Sequence, residues 1–228
     1  MQYEGRLEAG RVLAGELWKL ELGPCIVAGI PRGGVIVAGP IAEQLDAPLA
    51  AVHTRKLSSP QAPEYAFGAM DEDGHAVLEY RSVVALGLGE KEVEEVKATV
   101  AREVARRARL YAGTRLADYL PAPTVVVVDD GLATGLTMQA AIGYAQRHGA
   151  EAIVVAVPCA SERAAYEVRS LLQRPADRFV CPVVDPEFRA VGEYYRDFRQ
   201  VTDDEVAKVL GRVVAPVPRE AAARAKGA

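Results

Sequence analysis

TVVVVDDGLATGLT, residues 124–137, is the stretch on which the reading of this 228-residue chain turns. Four consecutive valines run straight into Asp129 and Asp130, a glycine-bearing loop follows, and a helical pattern then begins. An unbroken run of β-branched residues fits a strand buried on both faces of a parallel sheet. The two aspartates then stand at the carboxyl end of that strand, where open α/β sheets place their ligands. Gly131 and Gly135 allow the backbone to come close to a ligand. Thr134 and Thr137 put hydroxyls beside the free N–H groups that open the next helix, which makes an anion site. Two carboxylates beside that cradle point to a ligand carrying a phosphate together with a diol or a bound metal.

The same strand–loop–helix unit recurs upstream. Residues 25–30 (CIVAGI) read as a buried strand that ends in Pro31-Arg32-Gly33-Gly34, and residues 35–45 as the helix after it. An array of backbone N–H groups with one guanidinium suits paired phosphate oxygens. Residues 49–53 read as the next strand, running into Thr54-Arg55-Lys56; residues 151–157 (EAIVVAV) and 178–181 read as two more. Helices are expected over 6–20, 90–111 and 136–148, from the N-cap Ser161 to residue 172, and over 202–210 with Thr202 or Asp203 as N-cap. The long helix carries Val93, Val96, Val100 and Val104 as one apolar stripe, with Arg102, Arg106 and Arg109 on a solvated face. Residues 57–68 lack periodicity and read as a mobile loop. The strands that follow flank Asp71-Glu72-Asp73-Gly74, a hairpin turn by its D-G pair. Strand–helix alternation of this kind implies an α/β fold, a mainly parallel sheet flanked by helices. One domain is expected over 1–217, with a loop and hairpin at 57–80, an aromatic and charged hood at 178–200, and a tail at 218–228.

Composition narrows the function classes. Half of the residues are hydrophobic, a quarter are charged and the net charge is −4, which is ordinary for a soluble protein and argues against a bulk electrostatic grip on nucleic acid. No apolar run reaches membrane-spanning length, and the opening MQYEGRLEAG lacks the basic head and apolar segment of a signal peptide. Cys25, Cys159 and Cys181 lie far apart, as small core residues rather than a disulfide framework or zinc site. A cytoplasmic location is therefore expected. The absence of asparagine, with many arginines and prolines, leans towards a thermophile. The spacing from Gly131 to Gly135 is not that of a P-loop and no lysine follows it, and no G-x-G-x-x-G follows a strand, so neither an NTPase nor a Rossmann dehydrogenase fits.

Residues 124–137 resemble the phosphoribosyl-pyrophosphate signature of the type I phosphoribosyltransferases, and are especially similar to that of the adenine-specific members. The resemblance implies transfer of the ribose 5-phosphate group of phosphoribosyl pyrophosphate to a nitrogenous acceptor, with release of pyrophosphate. It implies that Gly131, Leu132, Ala133, Thr134, Gly135, Leu136 and Thr137 hold the 5-phosphate and that Asp129 and Asp130 face the ribose diol. Arg32, Gly33 and Gly34 resemble the family's pyrophosphate loop. Lys56, with Arg55 beside it, matches its basic residue at a strand end. Val191-Gly192 and Tyr194-Tyr195-Arg196-Asp197 resemble a segment of the hypoxanthine-guanine branch that covers the base, which adds Arg196 to the pyrophosphate ligands. Leu78-Glu79-Tyr80 resembles a triplet of the adenine enzymes, which makes Glu79 an acid–base candidate. Leu132, Val157, Pro158 and Tyr194 are the candidate walls of the base pocket. Magnesium is the expected cofactor, held by the substrate's own oxygens near Asp129 and Asp130 rather than by a dedicated protein cage. The family's loop and hairpin close over the site, and its members are often dimeric, so a homodimer is expected by resemblance. Ala133 stands where the hypoxanthine-guanine enzymes have aspartate, which argues against a 6-oxopurine acceptor; the acceptor base otherwise stays open. The alternative from a different class is a non-catalytic sensor of phosphoribosyl pyrophosphate or a nucleotide. Arg32, Lys56 and the lid favour catalysis, because a sensor needs the phosphate loop more than a lid.

Overall fold

The four valines do what an unbroken β-branched run requires, alternating between two buried faces. In the computed structural model, which describes residues 1–63, 65–110 and 113–213, they end strand Ala122–Val128. Val125 and Val127 enter a cluster with Met138 and Ile142, while Val126 and Val128 pack against Leu17, Val35 and Ile41 on the opposite side. Chain order gives helix α1 (Arg6–Trp18), strand β1 (Ile26–Gly29), α2 (Gly33–Leu45), β2 (Leu49–Ala51), β3 (Thr54–Ser58), β4 (Ala66–Asp71), β5 (Ala76–Leu78), α3 (Tyr80–Ala85) and α4 (Glu90–Leu110). Then follow β6 (Ala122–Val128), α5 (Leu136–Arg147), β7 (Ala150–Ala156), β8 (Cys159–Ser161), α6 (Glu162–Leu171), β9 (Arg178–Val180), β10 (Val183–Asp185) and α7 (Asp203–Val213).

The main sheet has five strands in the order β2-β1-β6-β7-β9, every pair parallel. Helices α1, α2 and α7 cover one face and α5 and α6 the other, which is the expected α/β architecture. Connections run outward from β1 to β2 on one side and from β6 through β7 to β9 on the other. The chain reverses between β1 and β6, so their carboxyl ends frame the crevice in which such sheets bind ligands. A two-stranded parallel ribbon, β8 with β10, extends one end.

The expected hairpin is present as β4 and β5. Asp71 Oδ1 accepts from the N–H groups of Asp73 and His75, both at 3.0 Å, and Gly74 has φ +85°. The stretch read as a loop over 57–68 is strand at both ends. β3 runs to Ser58 and β4 resumes at Ala66, giving a three-stranded antiparallel sheet in the order β3-β4-β5. The sequence concealed this because Thr54-Arg55-Lys56 is polar; Leu57 supplies the buried side chain, packing with Phe67 and Met70 against Val93, Val100 and Val104 of α4. A small apolar patch, Ala69 with Leu136 and Ala140, seats this sheet on α5. Three consecutive acids finish the seat: Asp71 pairs with Arg147, Glu72 accepts from the Tyr144 hydroxyl, and Asp73 meets His148 at 2.8 Å.

Helix α1 departs from its expected stripe. Leu13 and Leu17 are fully buried, but Leu7 and Leu20 are exposed, and Ala9, Gly10 and Ala14 complete the buried face. Small residues serve because α1 lies close on α2: a Cβ at Gly10 would stand 2.4 Å from the Val37 carbonyl oxygen. Thr202 is the N-cap of α7, with a reciprocal box in which Glu205 N donates to Thr202 Oγ1 (3.2 Å) and Thr202 N to Glu205 Oε2 (2.9 Å). The Ser161 cap of α6 is present as expected, its Oγ accepting from Ala164 N at 3.1 Å. Among the described residues no helix is long and apolar enough to cross a membrane. The tail over 218–228 lies outside the described residues.

Two glycines of α1 separate backbone entropy from packing. Gly10→Ala will destabilise the protein by about 1–3 kcal/mol, because overpacking outweighs the helix-propensity gain. Gly15→Ala, with nothing within 4 Å of the added methyl group, will stabilise by about 0.5–1 kcal/mol. Urea midpoints at unchanged slope will show the opposite signs.

Candidate active site

Two loops meet at the crevice, and they meet closely. A Cβ at Gly33 would lie 1.9 Å from Asp130 Oδ2, and one at Gly34 would lie 2.6 Å from the Val128 carbonyl oxygen. Only glycine lets the loop after β1 rest on the acid pair after β6. Asp130 N–H donates to Asp129 Oδ1 at 2.8 Å, so the first carboxylate is partly turned onto the backbone. Burial, and then the negative charge of Asp130, push the Asp129 carboxyl well above the usual carboxylate range; Lys56 and Arg6 work against that rise.

The loop after Asp130 is pinned from below. Leu132 exchanges backbone hydrogen bonds with β8, its N–H donating to Cys159 O and its carbonyl accepting from Ser161 N, both at 2.9 Å, and Ser161 Oγ donates to the Ala133 carbonyl at 2.8 Å. Ala133 and Thr134 are left exposed at the rim. Gly135 caps α5 with φ +75°, a left-handed geometry that suits glycine, and the first-turn N–H groups of α5 open toward the rim.

A cleft of about 1300 Å³ opens above these loops. Of the residues expected to hold pyrophosphate, Arg32, Gly33, Arg55 and Lys56 line it, with Arg55 paired to Glu103 of α4 at 2.7 Å. Gly34 lies beneath, packed on the β6 end. The phosphate loop lines the cleft from Gly131 to Gly135 and at Thr137, while Leu136 is buried under it.

Five expected residues are elsewhere. Glu79 heads α3, where the Ser82 hydroxyl, followed by Arg163, holds its carboxyl below the usual range; it is a structural anion outside the cleft lining. Arg196 is exposed and pairs with Glu4, because Arg196 N donates to Tyr3 O at 2.8 Å and so fixes the strand direction away from the cleft. Tyr194 is buried against Phe188, its hydroxyl donating to Asp185 at 2.6 Å. Val157 and Pro158 are buried in the core side of the ribbon, the Pro158 carbonyl accepting from Tyr3 at 3.1 Å. Of the expected base-pocket walls only Leu132 reaches the cleft lining. The C-terminal segment does cover the cleft, but through Val191, Phe198, Gln200 and Val201.

The opposite wall is α4, whose Glu92, Glu95, Val96, Thr99 and Val100 face the cleft. Sequence reading missed this wall, and it also missed Arg6, Thr54 and Tyr195. Arg6 Nε donates to Asp130 Oδ2 at 2.7 Å, and Tyr195 donates its hydroxyl to the Asp130 carbonyl at 2.7 Å. Thr54 lines the cleft two residues before Lys56, and its buried Oγ1 has no hydrogen-bond partner among the described residues. A threonine in a strand carries no local signal for this. All three cysteine thiols are pushed up by burial, Cys181 to about 11, as fits core residues.

The sequence model of the phosphoribosyl transferase domain family matches residues 6–180. The chain belongs to that family. A solved structure of a Thermus thermophilus protein is 35% identical, covers 94% of this chain and 100% of its own, and superposes with a TM-score of 0.74. Two Mycobacterium tuberculosis proteins that carry provisional phosphoribosyl transferase names are 40% identical over 210 residues. That alignment takes in 92% of this chain, which spans about half the length of those relatives, 46%.

Two substitutions test the electrostatics of this domain without ligand. Asp129→Asn keeps an acceptor for Asp130 N–H and removes a buried charge. A carboxyl raised in the folded state contributes stability that is complete below the unfolded value of about 4 and is lost as pH climbs through the folded value. The melting temperature of the Asn variant will therefore match wild type near pH 4 and exceed it by about 2–4 °C at neutral pH, the shift that 1 kcal/mol produces at this size. Thr54→Val removes an orphaned hydroxyl and will stabilise the empty protein by about 1 kcal/mol, read from urea midpoints.

Proposed function

We propose that this domain transfers the ribose 5-phosphate group of phosphoribosyl pyrophosphate to the nitrogen of a base-like acceptor. The observation that carries the proposal is the contact of Gly33 with Asp130: it joins an anion loop, an acid pair and a cationic loop at one mouth. No single phosphate would need all three. A donor with a 5-phosphate, a ribose diol and a pyrophosphate uses each.

In this reading the N–H groups of the 133–137 loop and the hydroxyls of Thr134 and Thr137 take the 5-phosphate. Asp130, with Asp129 behind it, accepts from the ribose hydroxyls and faces the carbon where positive charge grows. Arg32 and Lys56 hold the leaving pyrophosphate. The acceptor nitrogen attacks C1 of the ribose as the C1–O bond to pyrophosphate breaks; the bond's electron pair leaves on pyrophosphate, and the acceptor's N–H proton is lost to solvent. Pro60, Gln61 and Pro63, between β3 and β4, line the mouth, and their closing over it would keep water from the activated sugar.

Asp129 Oδ1 and Asp130 Oδ2 are already engaged by protein donors, which leaves too few carboxylate oxygens for a six-coordinate protein cage. That donor set fits a magnesium ion carried by the donor's own phosphate oxygens, with Asp129 and Asp130 nearby. When bound, it would neutralise leaving-group charge.

The acceptor side is bounded by Glu92, Glu95, Gln61 and Gln200. Carboxylates and amides there favour an acceptor that donates N–H groups over an anionic base, and Ala133 leaves a 6-oxopurine without its usual acid.

The test is pyrophosphate release from phosphoribosyl pyrophosphate and magnesium with adenine, guanine, hypoxanthine, uracil and orotate offered in turn. Turnover is expected with an amino-bearing base and absent with orotate. Donor binding without turnover on any base would replace the enzyme by a sensor. Replacing Asp129 and Asp130 together by Ala will lower turnover by at least about 10²-fold while ribose 5-phosphate still binds through the loop; full turnover would remove the acids from the chemistry.

A further inference from the structure

We propose that Arg6 is a positioning residue for the ribose diol, holding Asp130 in the orientation that presents its second oxygen to the ligand. This rests on the phosphoribosyl reading of the same cleft and extends it to a residue 124 positions away in sequence.

Four contacts of one guanidinium carry the inference. Arg6 Nε donates to Asp130 Oδ2 at 2.7 Å, and Nη1 donates to the Arg199 carbonyl at 3.0 Å. The guanidinium carbon lies 4.0 Å from the centre of the Phe198 ring. The same edge abuts the loop after β1, since a Cβ at Gly33 would come within 2.8 Å of Nε. Arg6 therefore touches the acid pair, the loop after β1 and the C-terminal segment over the cleft, and it lines the cleft itself. Its side chain is only 11% exposed. A charge so withdrawn from water is costly unless it is paired, and its partner is one of the two acids the donor needs.

The geometry also has a direction. Asp130 spends Oδ2 on Arg6; among the described residues Oδ1 makes no hydrogen bond. Without the guanidinium, Asp130 would be free to turn and would face Asp129 with less counter-charge. A planar fork can bond the carboxylate edge-on while its face stacks on an aromatic ring; an ammonium pairs with the carboxylate as a point charge and has no plane to stack. The two functions are thus separable by substitution.

Binding of three probes to the full chain, in the presence of magnesium, tests this: ribose 5-phosphate, phosphoribosyl pyrophosphate and inorganic pyrophosphate. Arg6→Ala is expected to weaken both sugar phosphates about tenfold, the loss of one charge-assisted contact, and to leave pyrophosphate within about twofold. Arg6→Lys, which keeps the ion pair, is expected to recover most of the sugar-phosphate affinity with the same selectivity; it also serves as the reporting variant if Arg6→Ala does not fold. An equal loss for all three probes would overturn the assignment, making Arg6 a scaffold or a direct pyrophosphate ligand. Unchanged binding of all three would overturn it as well. If wild type binds neither sugar phosphate, the phosphoribosyl reading falls and the role of Arg6 with it; a selective failure in the variants alone removes only Arg6.

Discussion

Two parallel strands ending side by side, β1 and β6, set the conditions for everything else in this molecule. Their register places Gly29 opposite Val128, so the loops that leave them must cross the same small space. One loop brings backbone and a guanidinium, the other brings two carboxylates. Three glycines make that crossing possible: a side chain at Gly29, Gly33 or Gly34 would strike backbone or a site carboxylate. The close approach is also what turns two ordinary strand–loop–helix units into one polar mouth. Because the sheet reverses direction of travel at this pair, no neighbouring crossover covers the opening.

The rest of the chain is arranged to bound that mouth. The antiparallel sheet β3-β4-β5 is held between α4 and α5, apolar toward α4 and locked to α5 by three acids of its turn. Helix α5 begins at the loop after β6 and ends at this lock, so one element links that loop to the β3–β5 sheet. The C-terminal segment forms the third side, pinned by Tyr3 through its backbone and by Tyr195 to the Asp130 carbonyl. The chain's first residues and the segment from Val191 to Val201 therefore meet at the site. Arg6 is the clearest expression of that meeting.

Electrostatics follows the same plan. Desolvation and like charge oppose ionisation of Asp129, while Arg6 and Lys56 favour it. The charge of the acid pair is thus only partly balanced by cations of the protein. Glu92 and Glu95 of α4 line the same cleft as Arg32 and Lys56, and Glu103 of that helix pairs with Arg55 at 2.7 Å.

The sequence by itself determined the parts whose cause is local. The valine run specified a doubly buried strand, the glycines after β1 specified backbone that tolerates a close approach, the D-G pair specified the hairpin turn, and Ser161 specified a helix start. These depend on residues within a few positions of one another, as do the resemblances at residues 124–137 and 32–34. Tertiary structure alone decided which distant side chains complete the site. Glu79 and Arg196 sit in stretches that look right for the chemistry, yet packing against α6 and the N-terminus gives each a different partner. Arg6 and Thr54 sit in stretches with no such pattern, yet the fold carries one to Asp130 and leaves the other unpartnered in the cleft wall. Periodicity and propensity describe neighbours along the chain; a hydrogen bond across 124 residues is set by how helices and sheets pack, and only the folded molecule contains that information.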